Sequence, residues 1–221
     1  MVNYNSEEYR KRLVEEYDNY FKTWPKKWGS MRRDEIVVDV LANLYPDPID
    51  ILDVGCGNGH LLQLLGVAFP DVKLYGLDIS PEALKIAADA APWINWIEGF
   101  IEDLPEKKKY SVVILQGTIE HFVDPSAALA KVKSILRKGG IVYVEAPNNL
   151  AYDPGEHTYR RLKRGSRQME WHLSAEEWEA MFEAAGFEIL LYRREDTPQW
   201  GNIWVLTPAQ SEKEPVKSKK E

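Results

Sequence analysis

The residues best suited to chemistry lie in one short stretch, Ile51-Leu52-Asp53-Val54-Gly55-Cys56-Gly57-Asn58-Gly59-His60-Leu61. An apolar run closes on an acid, three glycines follow at alternate positions, and a helical pattern begins. Glycines at a strand-to-helix turn let the backbone bend sharply and let a ligand approach with no β-carbon in the way. The helix start behind them offers unpaired N–H groups and a partial positive charge, which suit a carboxylate or phosphate. A second acid, Asp78, ends the next apolar run, Leu74-Tyr75-Gly76-Leu77, 23 residues after Gly55 (78 − 55). An acid at that place can accept hydrogen bonds from both hydroxyls of a ribose. The plainer alternative is a turn aspartate ahead of a helix.

The chain has four histidines. His60 falls on the helix after the glycines. His121 follows the fourth strand, where it can serve as a general base or orient an acceptor, or simply hold its loop as a structural histidine. His157 and Tyr159 fall in a long Arg-rich stretch and can reach a substrate pocket or stay exposed, and His172 precedes a helix cap. Arg160, Arg161, Lys163, Arg164 and Arg167 place five cations in eight positions. They read either as a solvated helix face or as a flap that selects an anionic acceptor, with Arg160 its candidate contact. Tyr17, Tyr20, Phe21, Trp24 and Trp28 suggest an aromatic lid over an apolar or planar substrate, Trp24 being the candidate contact. The one cysteine, Cys56, excludes an internal disulfide and a cysteine metal cluster, and no metal site is expected.

Elements of the right kind surround these residues. Leu61, Leu64, Leu65 and Ala68 recur at helical spacing before Pro70, and Ser80-Pro81 opens a helix carrying Leu84, Ala87, Ala88 and Ala91. Asp124-Pro125 opens a third, with Leu129, Val132 and Leu136, closed by Gly139 and Gly140. Ser174 and Glu177 form a capping box ahead of Trp178, Met181, Phe182 and Ala185, and Gly186 ends that helix. A further charged helix near the N-terminus is expected to be capped by Asn5. Strands are expected at 49–54, 72–77, 94–97, 111–115, 141–145, 187–191 and 200–206. Continuous apolar strands alternating with helices imply a parallel sheet covered on both faces. The link between the last two strands is too short for a helical crossover, so these should pair antiparallel.

A dinucleotide fingerprint, G-x-G-x-x-G, would need a glycine at 60, where His60 stands. Asp53, Gly55, Gly57 and Gly59 instead resemble the first motif of class I S-adenosylmethionine (SAM) methyltransferases. Glu98 to Pro105 resembles the family's segment beside the adenine, with Phe100 replacing its usual aspartate. Val112 to His121 is similar to its fourth-motif strand and "L-E-H" segment, and Leu136 to Gly140 to its "L-K-P-G-G" turn. Ala146-Pro147-Asn148 and Trp171 to Phe187 resemble the ending of small-molecule members, including the ubiquinone O-methyltransferase-like group. The resemblance spans about residues 48–206. It implies an α/β, Rossmann-like, doubly wound sheet of seven mostly parallel strands, the last antiparallel, with helices on both faces. It implies SAM as cofactor, held by Asp53, Gly55, Cys56, Gly57, Gly59, Asp78, Ile79, Ile101, Glu102 and Gln116. Methylation of a small molecule, anionic or aromatic, is then expected. The alternatives are a non-catalytic SAM-binding module or a nicotinamide-dependent oxidoreductase.

Bulk properties agree with this reading. The 221 residues are 44% hydrophobic and 29% charged, ample for a core. A net charge of −7 argues against a nucleic-acid partner. A polar N-terminus and the lack of a long apolar run argue against a leader peptide or a membrane span, so a cytoplasmic monomer or homodimer is expected. The expected organisation is a lid over 1–35, a methyltransferase domain over 36–208 with an irregular insertion at 147–173, and a disordered tail over 209–221.

Overall fold

The structure, a computed structural model, describes residues 7–23, 31–45, 47–147, 159–161, 169–171, 173–194 and 201–209. Two helices lead, α1 (Glu7–Thr23) and α2 (Met31–Leu44), followed by the alternation β1 (Asp50–Val54), α3 (His60–Ala68), β2 (Lys73–Asp78), α4 (Pro81–Ala90) and β3 (Asn95–Glu98). The chain continues through β4 (Tyr110–Gln116), α5 (Pro125–Ile135), β5 (Leu136–Ala146), a small ribbon of β6 (Tyr159–Arg161) and β7 (Met169–Trp171), α6 (Ala175–Ala184), β8 (Phe187–Arg194) and β9 (Asn202–Pro208). The seven-stranded sheet runs in the order β3-β2-β1-β4-β5-β9-β8. Its first five strands are parallel, and β9 is antiparallel to both β5 and β8.

Alternation along the strands sorts side chains between two cores. Ile51, Val112, Ile114, Ile141, Tyr143, Ile203 and Val205 meet Val37 and Leu41 of α2 and Leu61, Leu62 and Leu65 of α3. Leu52, Val113, Leu115, Val142, Val144, Trp204 and Leu206 meet Leu129 and Val132 of α5 and Trp178 and Phe182 of α6. Both faces are therefore covered, which is why β1 is buried at all five positions. The Ser174–Glu177 capping box forms in full and fixes the start of α6, whose Trp178 stacks on Phe182.

Several expectations are corrected. Gly139 and Gly140 do not close α5, which stops at Ile135; both lie in β5. Gly139 has a φ of +74°, and a β-carbon on Gly140 would come within 2.9 Å of the Ser111 carbonyl oxygen, so this pair serves a bulge against β4. On α3 the buried residues are Leu61, Leu62 and Leu65, while Ala68 is exposed. The sequence reading overlooked α2, which runs across position 35, where that reading drew a boundary. The 147–173 stretch, expected to be irregular, contains the β6–β7 ribbon, and the first two of its clustered arginines, Arg160 and Arg161, sit on a strand rather than a helix. Asn5 and the 210–221 tail lie outside the described residues. No helix among the described residues is long and apolar enough to cross a membrane.

One polar knot ties the sheet's N-terminal edge together. The buried Asp50 carboxylate accepts from Ser111 N–H at 2.8 Å and from Arg137 Nη2 and Nε at 2.6 and 3.1 Å. Burial raises this acid's pKa, but the Arg137 and Ser111 hydrogen bonds outweigh it and hold the carboxyl below its ordinary value. A depressed folded-state pKa stabilises above the unfolded value, and that stability is lost as pH falls through the acid range. Asp50→Asn is therefore expected to lower the unfolding free energy at neutral pH by about 1–3 kcal/mol. In urea titrations it should also flatten the decline in stability between about pH 5 and 2.

Candidate active site

The turn after β1 is held from beneath by the end of β2. Gly55 N–H and Cys56 N–H both donate to the Leu77 carbonyl, at 2.7 and 3.1 Å, and Gly57 N–H donates to Asp78 Oδ2 at 2.8 Å. Asp78 Oδ1 accepts from Ser80 N–H at 2.9 Å, so one carboxylate organises both the glycine turn and the start of α4. Burial pushes the Asp78 carboxyl up, opposed by these N–H donors. With N–H groups of Gly57, Ser80 and Ile79 on it, the carboxylate still keeps a lone pair for a ligand hydroxyl.

Two of the glycines have distinct reasons. Gly55 has a φ of +73°, and a β-carbon on it would stand 2.6 Å from Thr118 Oγ1. Thr118 in turn donates to the Val54 carbonyl at 3.0 Å, closing the turns after β1 and β4 on each other. Gly59 caps α3 with a φ of +74°, and its β-carbon would enter the Trp96 ring at 2.3 Å. Packing under Trp96, whose indole N–H donates to the Ala91 carbonyl at 3.1 Å, demands glycine there.

Other expected contacts sort by burial. Asp53 is buried, and burial, then Asp34 and Asp78, push its carboxyl well above the usual range. Burial, Asp78 and Asp53 likewise raise the Cys56 thiol, whose side chain belongs to the core on the α2–α3 face, leaving its backbone to meet any ligand. Ile79 is half-buried, Ile101 is inside the opposite core, and Glu102 is exposed in the short turn Ile101–Asp103. Gln116, at the end of β4, lies in register with Glu145 of β5, whose carboxyl burial pushes up against the pull of Arg33. His60 is occupied, its Nδ1 lying 2.5 Å from Asp34 Oδ2 on α2.

Helix α1 lies across this sheet end. Asp18 Oδ1 accepts from the Ser80 hydroxyl at 2.6 Å and from Glu82 N–H at 3.1 Å, fastening α1 to the start of α4. The Phe21 ring sits against Gly57. Arg10 pairs with Asp103 and stacks 3.9 Å above the Phe100 ring. Tyr17 meets His121 edge to face at 6.4 Å between centroids. Burial, then the charges of Asp78 and Glu120, push the Tyr17 hydroxyl upward, so it remains a donor among acids. These contacts come from positions 10, 17, 18 and 21, one face of a helix, a spacing the sequence offered and the sequence reading did not use.

His121 and Glu120 share the short turn Ile119–His121 after β4. Trp171 of β7 donates its indole N–H to the Phe122 carbonyl at 2.9 Å, anchoring the ribbon beside that turn. The backbones of Tyr159 and Arg160 lie on β6, but their side chains, with Trp24, His157 and His172, lie outside the described residues. Arg33, Glu145, Thr118 and Asp18 were assigned no role in the sequence because no motif singles them out, and Glu120 was read only as part of the "L-E-H" segment.

A family model described as a methyltransferase domain matches residues 30–192. A trans-aconitate 2-methyltransferase from Acidovorax ebreus is 30% identical over 131 residues, 59% of this chain and 50% of that protein. A malonyl-[acyl-carrier protein] O-methyltransferase from Acetivibrio thermocellus is 29% identical over 156 residues, 69% and 53% of the two chains. The chain thus spans about half the length of the curated relatives it matches. The crystal structure of the Burkholderia thailandensis 1,6-didemethyltoxoflavin-N1-methyltransferase, with 1,6-didemethyltoxoflavin and S-adenosylhomocysteine bound, superposes with a TM-score of 0.71 at 15% identity. The match covers 91% of this chain and 87% of that one, and it shows a shared fold. On its glycine turn, its sheet order and the family match across most of its length, this chain belongs to the methyltransferase domain family.

Proposed function

We propose that the chain transfers a methyl group from SAM to a small-molecule acceptor. The observation that carries this reading is the Asp78 carboxylate clasping the Gly57 and Ser80 N–H groups at the mouth of the glycine turn. Such an acid suits the ribose diol of the cofactor, and the glycine-rich backbone after β1 suits its amino-acid end. Asp34, Asp53 and Asp78 are buried acids whose mutual repulsion favours a cationic ligand, which SAM, bearing a sulfonium and an ammonium, supplies. The names of the relatives, both methyltransferases, agree.

When bound, SAM supplies an activated methyl group on a sulfonium. The protein's work is then chiefly to align donor and acceptor and exclude water, and alignment alone lowers such barriers by roughly 7–11 kcal/mol. In this proposal α1, fastened through Asp18 and Phe21, forms a lid over the cofactor, and Tyr17 and His121 face the acceptor. The β6–β7 ribbon is tied beside the His121 turn through Trp171, and this reading assigns the cations of that stretch, Arg160 among them, to an anionic part of the acceptor. A nicotinamide cofactor suits the turn less well, because His60, bound to Asp34, occupies the place of the third fingerprint glycine.

Calorimetry should find SAM binding at micromolar affinity and no NAD binding. Asp78→Ala is expected to weaken SAM at least ~100-fold, the worth of two charge-assisted hydrogen bonds. Absence of SAM binding by the native chain would overturn the proposal. For His121→Ala, production of S-adenosylhomocysteine with any acceptor that turns over should fall about 10²-fold or more. SAM affinity should change little, and unchanged turnover would remove His121 from the mechanism.

A further inference from the structure

Glu120 is the acid that the cofactor site leaves over. It sits in the turn after β4, at the same end of the sheet as the glycine loop, and its side chain is drawn inward to 1% exposure. Neither of its carboxyl oxygens has a hydrogen-bond partner among the described residues. A buried carboxyl in that state is costly unless something else meets it.

Its neighbours come from several elements. Arg33 of α2 is the cation that acts on it, but the Arg33 Nε donates to Glu145 Oε1 of β5 at 2.8 Å. Glu145 is buried as well, and its Oε2 is also without a partner. Tyr17 of α1 is near enough for the Glu120 charge to act on its hydroxyl, and His121 Nε2 stands 3.9 Å from Glu120 Oε1. Asp34 of α2 adds negative charge facing Glu145. The surroundings thus hold two buried carboxyls sharing one guanidinium, and no side chain among the described residues donates a hydrogen bond to Glu120. Burial, and then Glu145, push Glu120 up to about 8, against the pull of its own backbone N–H and of Arg33.

We propose that the methyl acceptor carries an amino group and that Glu120 receives it, the ammonium supplying the charge and the N–H donors this carboxyl lacks. The inference rests on the methyltransferase reading and names the acceptor class for that same site. An amine must be neutral to attack, so the substrate ammonium first passes one N–H proton to the Glu120 carboxylate. The freed nitrogen lone pair forms the new N–C bond to the methyl carbon as the C–S bond breaks, and the sulfur keeps that bonding pair. The product leaves as the methylated ammonium, and Glu120 is left protonated as it began, the one proton of the net reaction having gone to solvent when the ammonium bound. The acceptor's own carboxylate or phosphate would be repelled at this position, so any negative group it bears lies elsewhere.

The test is calorimetric, with the full chain saturated in S-adenosylhomocysteine and titrated with benzylamine, benzyl alcohol and benzoate. Benzylamine should bind at least ~10-fold more tightly than either of the others. At pH 7 it should displace close to one proton into the buffer, because pairing with the ammonium drives Glu120 to ionise. Glu120→Gln should weaken benzylamine at least ~10-fold and abolish the proton release while S-adenosylhomocysteine affinity is kept; a merely structural role would not move proton release. No preference for benzylamine by the native chain, or binding without proton release, would overturn the inference without recourse to any variant. Failure of the native chain to bind S-adenosylhomocysteine would overturn the methyltransferase reading along with it. Intact cofactor binding without amine preference would overturn the amine assignment alone.

Discussion

A single carboxylate holds the business end of this molecule in shape. Asp78 takes the Gly57 N–H on one oxygen and the Ser80 N–H on the other, joining the turn after β1 to the turn after β2. These are adjacent parallel strands, so the charge sits at the C-terminal edge of the sheet, where two helices begin together. Without such a bridge each turn would carry orphan N–H groups in a half-buried place. The same side chain keeps a lone pair for a ligand, so the fold and the binding site draw on one interaction. Thr118 does the corresponding work between β1 and β4, reaching the Val54 carbonyl and filling the space a side chain at 55 would need.

Around that bridge the protein gathers negative charge that it only partly neutralises. Asp34, Asp53, Asp78, Glu120 and Glu145 are all buried; Arg33 pairs with Glu145 and the His60 ring with Asp34 at hydrogen-bond distance. Buried acids in excess of cations raise one another's pKa and are met either by protons or by a cationic ligand. A methyl donor that carries a sulfonium fits the first half of this field, and an amine acceptor fits the second. Helix α1 closes over both halves with a phenol, a phenyl ring and a carboxylate from one face, so its closing contacts are themselves matched to the polar groups beneath.

The sequence by itself determined the alternating strands and helices of the sheet, though not α2 or the β6–β7 ribbon, and the glycine turn with its acid. Glycines at 55, 57 and 59, an acid at the end of the second apolar run and alternating strand and helix patterns are local demands of the backbone. Local demands leave local marks: a positive φ asks for glycine, and a capping box asks for Ser174 with Glu177. Where the local mark was ambiguous the reading failed, as at Gly139 and Gly140, where a helix stop and a strand bulge call for the same residue. Only the tertiary structure decided the acceptor end. Arg33 and Glu145 lie 112 positions apart, and Asp18 and Ser80 lie 62 apart. Nothing periodic announces such pairs, because partners of this kind are chosen by which strand ends and helix faces the sheet order brings together, and by how far each is withdrawn from water. Glu120 shows the difference most clearly: in the sequence it is the glutamate of an "L-E-H" segment with no role attached, and burial without a side-chain partner is what gives it a chemistry.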